Sequence, residues 1–367
     1  ATLDVDGDAI VTGTLDWSGT SGGAVSFGSL TIASGGTYSA TSGTTTILGS
    51  SGGFAFKNEG TFTHNSGTVK IDFETSNLNS NTRIHQTGVK EINNLEIEMN
   101  RTTDEVQFSA GTGTSQGLSG NFTLTKGEAM IYTTGQHDHS FDVDGNFVVG
   151  ANGTWGHLSH TGAHEFGSLT INSGGTFIAT SGTTTIKSEA SSGFALINEG
   201  TFTHNDGTVS IGDGTTAAET HIKITTLYNL IINSNADAKL VIFRPESSST
   251  VTIANDLTLT RGVFYRNNVS DTLTVTGDVS IASGSTLGRT NDSGASNFGS
   301  LTINSGGTYV ATSGTTTVTN GLVLASSGTL TQNASGLITC GTGTDIQQSL
   351  TTVCNWTLTG DCEFDAL

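Results

Sequence analysis

The run Phe27 to Ile47, FGSLTIASGGTYSATSGTTTI, returns at 166–186 and again at 298–318, and any two of the three copies agree at 18 of 21 positions. Starts at 27, 166 and 298 are too widely spaced for single structural units, so each copy heads a super-repeat assembled from smaller ones. The expected organisation is the end of one super-repeat at 1–26, complete ones at 27–165 and 166–297, and a partial one at 298–367, all in one continuous solenoid.

Within a copy, three short runs alternate apolar with polar residues and are separated by Ser-Gly and Gly-Gly corners, which predicts strands and tight bends. Side chains on a strand alternate with period two, so Leu30 with Ile32, Tyr38, and Ile47 point inward. One or two apolar residues per strand enclose nothing alone and need a layer above and below. The next stretch, NEGTFTHNSGTVKI, supplies it: Phe62 follows Tyr38, and Ile71 follows Ile47, at one and the same offset of 24. The same positions recur as Leu169, Ile171, Phe177, Ile186, Phe202 and Ile211, and as Leu301, Ile303, Tyr309 and Val318. The expected fold is all-β, an elongated parallel β-helix or β-solenoid of about a dozen coils with three short strands each. An array of β-sandwiches would leave the shorter inner period unexplained and would need longer strands.

The chain is rich in Gly (50 residues) and poor in Pro (one). Its apolar residues sit at regular strand positions, which argues against disorder. Thirteen basic against 32 acidic residues give a net charge of −19, a balance that disfavours nucleic acid and anionic membrane surfaces as partners. Apolar runs are only a few residues long, so no membrane insertion is expected. Leu3 to Trp17 aligns with Phe141 to Trp155, a late part of the next super-repeat. A processed secreted chain, or a segment of something longer, is expected from this.

Five histidines, His137, His139, His157, His160 and His164, cluster in one stretch. Spacings of 20 and 21 between 137 and 157 and between 139 and 160 suggest pairs on adjacent layers, able to hold a transition metal. His64 and His204, each after Thr-Phe-Thr, read as corner residues that bond a turn. The DVDGD and DVDGN stretches (Asp4, Asp6, Asp8; Asp142, Asp144, Asn146) resemble a calcium loop, but their glycines come two residues early. A strand ending in an Asp-Gly turn explains them, and Ca²⁺ remains the alternative there; no other cofactor is expected. Cys340, Cys354 and Cys362 leave the pairing open: Cys340 and Cys362 are one coil apart and would stack, or Cys340 and Cys354 would close a loop. Longer insertions at 74–92, 212–226 and 341–353 are candidate binding loops.

The motif GSLTINSGGT-x₂-ATSGTTT, with NEGTFTHN, resembles the Gly/Ser/Thr-rich solenoid repeats of large bacterial surface proteins and of phage or virion fibre and decoration proteins, especially marine ones. The resemblance implies an exposed structural or adhesive role. The expected function is therefore a non-enzymatic extracellular rod on a cell or virion surface, associating with copies of itself end to end or side by side and binding glycans weakly. A carbohydrate-binding or polysaccharide-degrading β-helix protein is the alternative. Binding to ordered water through the Thr-Thr-Thr clusters is a third reading.

Overall fold

In a computed structural model the described residues are all strand, bend or turn, with no helix. The structure describes residues 2–19, 22–50, 53–73, 81–110, 115–132, 138–212, 219–245, 249–333 and 335–340, with the strand backbones Asp345–Gln348, Asn355–Thr357 and Cys362–Phe364. Parallel strands stack as a β-solenoid of about 13 turns. The turns divide into two compact units, Ala1–Thr184 with Asn198–Asn205, and Thr185–Ile197 with Asp206–Leu367.

In the first unit one inward ladder runs Val5, Phe27, Ile47, Ile71, Ile97, Leu124, Val149, Ile171. Six steps of this ladder carry the chain from Phe27 to Ile171, which keeps the mean advance per turn equal to the spacing of Tyr38 and Phe62. Every residue of this ladder after Val5 is at most 1% exposed. Each such burial contributes roughly 1.5–3 kcal/mol, and it exists only because a neighbouring layer covers it.

The super-repeat from Phe27 to Phe166 falls five residues short of six turns, because the sixth step from Phe27 lands on Ile171 and not on Phe166. This has a geometric consequence. Ile171 is the repeat equivalent of Ile32, yet it stands in the ladder of Phe27, while Ile32 pairs with Val11 and Asn58 on another face. Identical stretches therefore do not lie above one another. The outward row beside the Phe27 ladder reads Asp4, Ser26, Thr46, Lys70, Glu96, Thr123, Val148, Thr170, so charges interrupt any threonine face.

Corners differ from the expected turns. The strand Leu3–Val11 runs straight through Asp6-Gly7, where its register against Val25–Ile32 slips, and Phe141–Trp155 does the same at Asp144-Gly145. The DVDG stretches are thus bends inside long strands, not strand ends; the bulge turns the chain onto the next face while the ladder continues. Close stacking requires glycine in the layer that follows the first bend: a Cβ on Gly28 would lie 2.7 Å from the Gly7 carbonyl oxygen.

Two alignments also change. Leu15 pairs with Tyr38, and Trp155 pairs with Phe177, so Trp155 corresponds to Leu15 and not to Trp17; the second copy carries two extra residues in the corner before it. Phe62 and Phe202 are half-exposed, not core. Each stacks on one side, against Tyr38 and Phe177 respectively, at 5.7 Å between ring centroids.

In the second unit three ladders run side by side: Leu230, Leu257, Val279, Leu301, Leu322; Val241, Phe264, Leu287, Tyr309, Leu330; and Ile253, Val275, Phe298, Val318, Cys340. They are the three faces of each coil.

Candidate functional site

The histidine-rich stretch is where interior chemistry departs most from plain packing. His164 opens the strand His164–Ile171 and pairs in register with Phe141 of the preceding layer. That offset sets His139 opposite Gly162, where a Cβ would meet the His139 carbonyl oxygen at 2.0 Å. The histidines brought together are instead His160 and His164, with ring centroids 4.8 Å apart and both residues buried. His157 is exposed, its Nδ1 bonded to the Ser159 hydroxyl at 2.7 Å, and His139 is half-buried. His137 lies outside the described residues.

Beside the pair, fully buried Trp155 sits among the rings of Phe108, Phe122, Phe141, Phe147 and His164 at 4.7–6.0 Å. Neither ring nitrogen of His164 has a hydrogen-bond partner. Burial drives its imidazole down to about 3, and the neighbouring His160 adds to the depression. Two imidazoles fall short of the three or four ligands of a zinc site, and no group of three ligating side chains converges among the described residues.

The pair does predict acid sensitivity. His164 stays neutral in the fold while the unfolded chain takes up a proton near pH 6.5. Its contribution is therefore complete above pH 6.5 and is lost as pH falls towards 3. Comparing urea midpoints at pH 7.5 and 4.5, His164→Val, which installs the residue found at Val25 in the first copy, should remove about 2–3 kcal/mol of that loss.

In the second copy both DVDG carboxylates are taken up by one lysine. Lys90 Nζ lies 2.6 Å from both Asp142 Oδ2 and Asp144 Oδ1. Lys90 stands in a corner built by Glu91, whose carboxylate accepts from Gly88 N–H at 2.7 Å and from the buried Asn58 amide at 2.7 Å. The corner holds Lys90 at a positive φ of 60°. Gly117 pairs with Asp142, and a Cβ there would lie 2.5 Å from the Asp142 carbonyl oxygen and 3.1 Å from Lys90 Cγ. Its bare backbone lets the lysine cross a layer. Burial alone would pull the Lys90 ammonium down, but its bonds and charges with Asp142 and Asp144 outweigh it and the pKa is raised. Lys90→Met should cost about 1 kcal/mol at low salt and less at high salt, read by denaturant titration at two ionic strengths. In the first copy Asp4 accepts from the Ser26 hydroxyl, and Asp8 from Ser29 Oγ at 2.7 Å.

His64 Nδ1 accepts the Ser66 N–H at 2.9 Å, and the next residue, Asn65, donates to the Ala40 carbonyl at 2.6 Å. Asn205, beside His204, makes the same contact to Ala179 at 3.1 Å. Cys340 is buried and pairs in register with Phe364, while Cys362 pairs with Ile338, so Cys340 and Cys362 do not stack directly. Cys354 lies outside the described residues, as do 74–80, 213–218, 341–344 and 349–353 of the three insertions.

Sequence reasoning passed over one charged group in the second unit. Arg266, 3% exposed, donates to the Asp271 carbonyl at 2.7 Å and the Ala295 carbonyl at 2.8 Å, with Asp292 Oδ2 3.5 Å away. Arg289 Nε bonds Asp292 Oδ1 at 2.9 Å, and its guanidinium lies 4.6 Å from the centre of the Tyr265 ring. The adjoining internal cavity is about 10 Å³, room for roughly one water.

Comparison with protein-family models, with curated proteins and with solved structures gave no match.

Proposed function

We propose that this chain is a non-enzymatic structural element of an extracellular appendage, on a cell or virion surface, that spaces or presents other parts of the assembly. The observation that carries this reading is the contrast between faces. Inward ladders are filled with fully buried side chains, while the outward row from Asp4 to Thr170 changes chemistry at almost every layer. An enzyme of this architecture would gather acids, bases and aromatic platforms in one concavity. The strongly perturbed His164 instead lies sealed inside, where no substrate reaches it.

Hydrated Thr and Ser positions suit weak contact with glycans or with neighbouring copies alongside. The test is antibody labelling of intact producer cells and of the particles they release, viewed by electron microscopy. Label on an external projection is expected. Label confined to the cell interior, or release of reducing ends from polysaccharides by the purified chain, would refute the role.

A further inference from the structure

The coil at residues 3–16 presents core-type residues to solvent. Leu3, Val5, Ala9 and Leu15 are only half-buried and, with Val11 and Phe27, line an open groove of about 410 Å³. Among the described residues the strand Leu3–Val11 pairs on one side only, with Val25–Ile32. Its repeat equivalent shows what a covered version looks like. There Phe141, Val143, Phe147, Val149 and Trp155 are all fully buried, because Gln116–Leu118, the strand from Phe122 and Ala129 lie against them.

The covering layers come in two kinds. In the second copy Asp142 and Asp144 meet Lys90 across Gly117. In the third, the same four positions are Thr274, Thr276, Thr225 and Thr252; Thr252 pairs with Thr274, and its N–H donates to the Thr225 carbonyl at 2.8 Å. Lysine, glycine and the two aspartates thus change together. The first copy has the aspartates, Asp4 and Asp6, both exposed. Among the described residues no ammonium pairs with either.

We infer that the open edge of residues 3–16 is a docking surface for a further parallel β-coil of the lysine kind, with a glycine opposite Asp4 and, one layer beyond, a corner lysine that bridges Asp4 and Asp6. Residues 341–367 lack that chemistry: they contain no Lys or Arg and bring Asp345, Asp361, Glu363 and Asp365. The edge keeps this chemistry wherever the protein resides.

The test extends the full chain by placing a duplicate of its own residues 81–140 directly before Leu3, and reads amide hydrogen exchange across Leu3–Val11. Protection should rise at least about 100-fold over the unextended chain. Lys90→Thr within the duplicate should give back roughly three- to tenfold of it. Asp4→Asn with Asp6→Asn should give back the same amount, and the two changes together no more than either. A duplicate of the threonine-type layers 219–272 should protect less. Equal protection by both duplicates, indifference to the lysine, or no added protection would overturn the inference. So would dimerisation of the unextended chain through this edge in sedimentation velocity.

Discussion

Replacing Arg266 by methionine is expected to destabilise the second unit by about 3–5 kcal/mol, because it strips a buried carboxylate of a charged neighbour. The substitution removes the donor to the Asp271 and Ala295 carbonyls and leaves Asp292, 0% exposed, with Arg289 alone. Arg289 is tied elsewhere, donating from Nη2 to the Asn267 carbonyl at 2.8 Å, so it cannot swing inward to replace the lost guanidinium. The control is the pair Arg266→Met with Asp292→Ser, which restores the residue at the equivalent Ser21 of the first copy. Removing both charges should recover part of the loss, since neutral packing often matches a buried ion pair. Urea unfolding followed by circular dichroism measures both; a single variant as stable as its parent would show that the network contributes nothing net.

Trp155→Ala should destabilise the first unit by about 3–5 kcal/mol through the cavity it leaves. The indole touches rings from several layers, with Phe141 at 4.7 Å and Phe147 at 5.1 Å between centroids. No neighbour can fold into the gap without leaving its own ladder. Trp155→Leu, the residue at Leu15 and Leu287, should cost appreciably less, because the equivalent coils already pack around leucine. If alanine and leucine unfolded at the same urea concentration, the aromatic nest would not be a packed core.

Much of the architecture was legible because the inward positions obey a simple rule. β-branched and aromatic residues alternate with Thr and Ser, and Gly marks the bends, so Ile32, Tyr38 and Ile47 could be placed from pattern alone. Phase was not legible. That the repeat misses six whole turns by five residues depends on corner lengths, such as the two residues added before Trp155, and no pattern constrains those. The long bent strands were missed for a related reason: Asp6-Gly7 looks like a turn, and only pairing across the bulge shows that the ladder continues.

The histidines illustrate how a site hides. Spacings near one coil suggested His139 with His160, but the local register set His139 against Gly162 and a tight corner brought His160 to His164. Lys90 carried no signal as a lone lysine in a charged stretch; its meaning comes from Gly117 and Asp142, one and two layers further along the chain. Arg266 and Asp292 were similarly far apart in sequence, and nothing in a Thr-rich repeat marks which charges face inward.

The most direct test of layered stacking is the distance between spin labels at Thr46 and Thr170, read by pulsed electron paramagnetic resonance. These outward residues are joined in register through Lys70, Glu96, Thr123 and Val148, five steps in all. At about 4.8 Å per layer a single narrow distribution near about 24 Å is expected, widened only by the label arms. A broad distribution, or one centred beyond about 40 Å, as separate globular beads would produce, would contradict a coil stack.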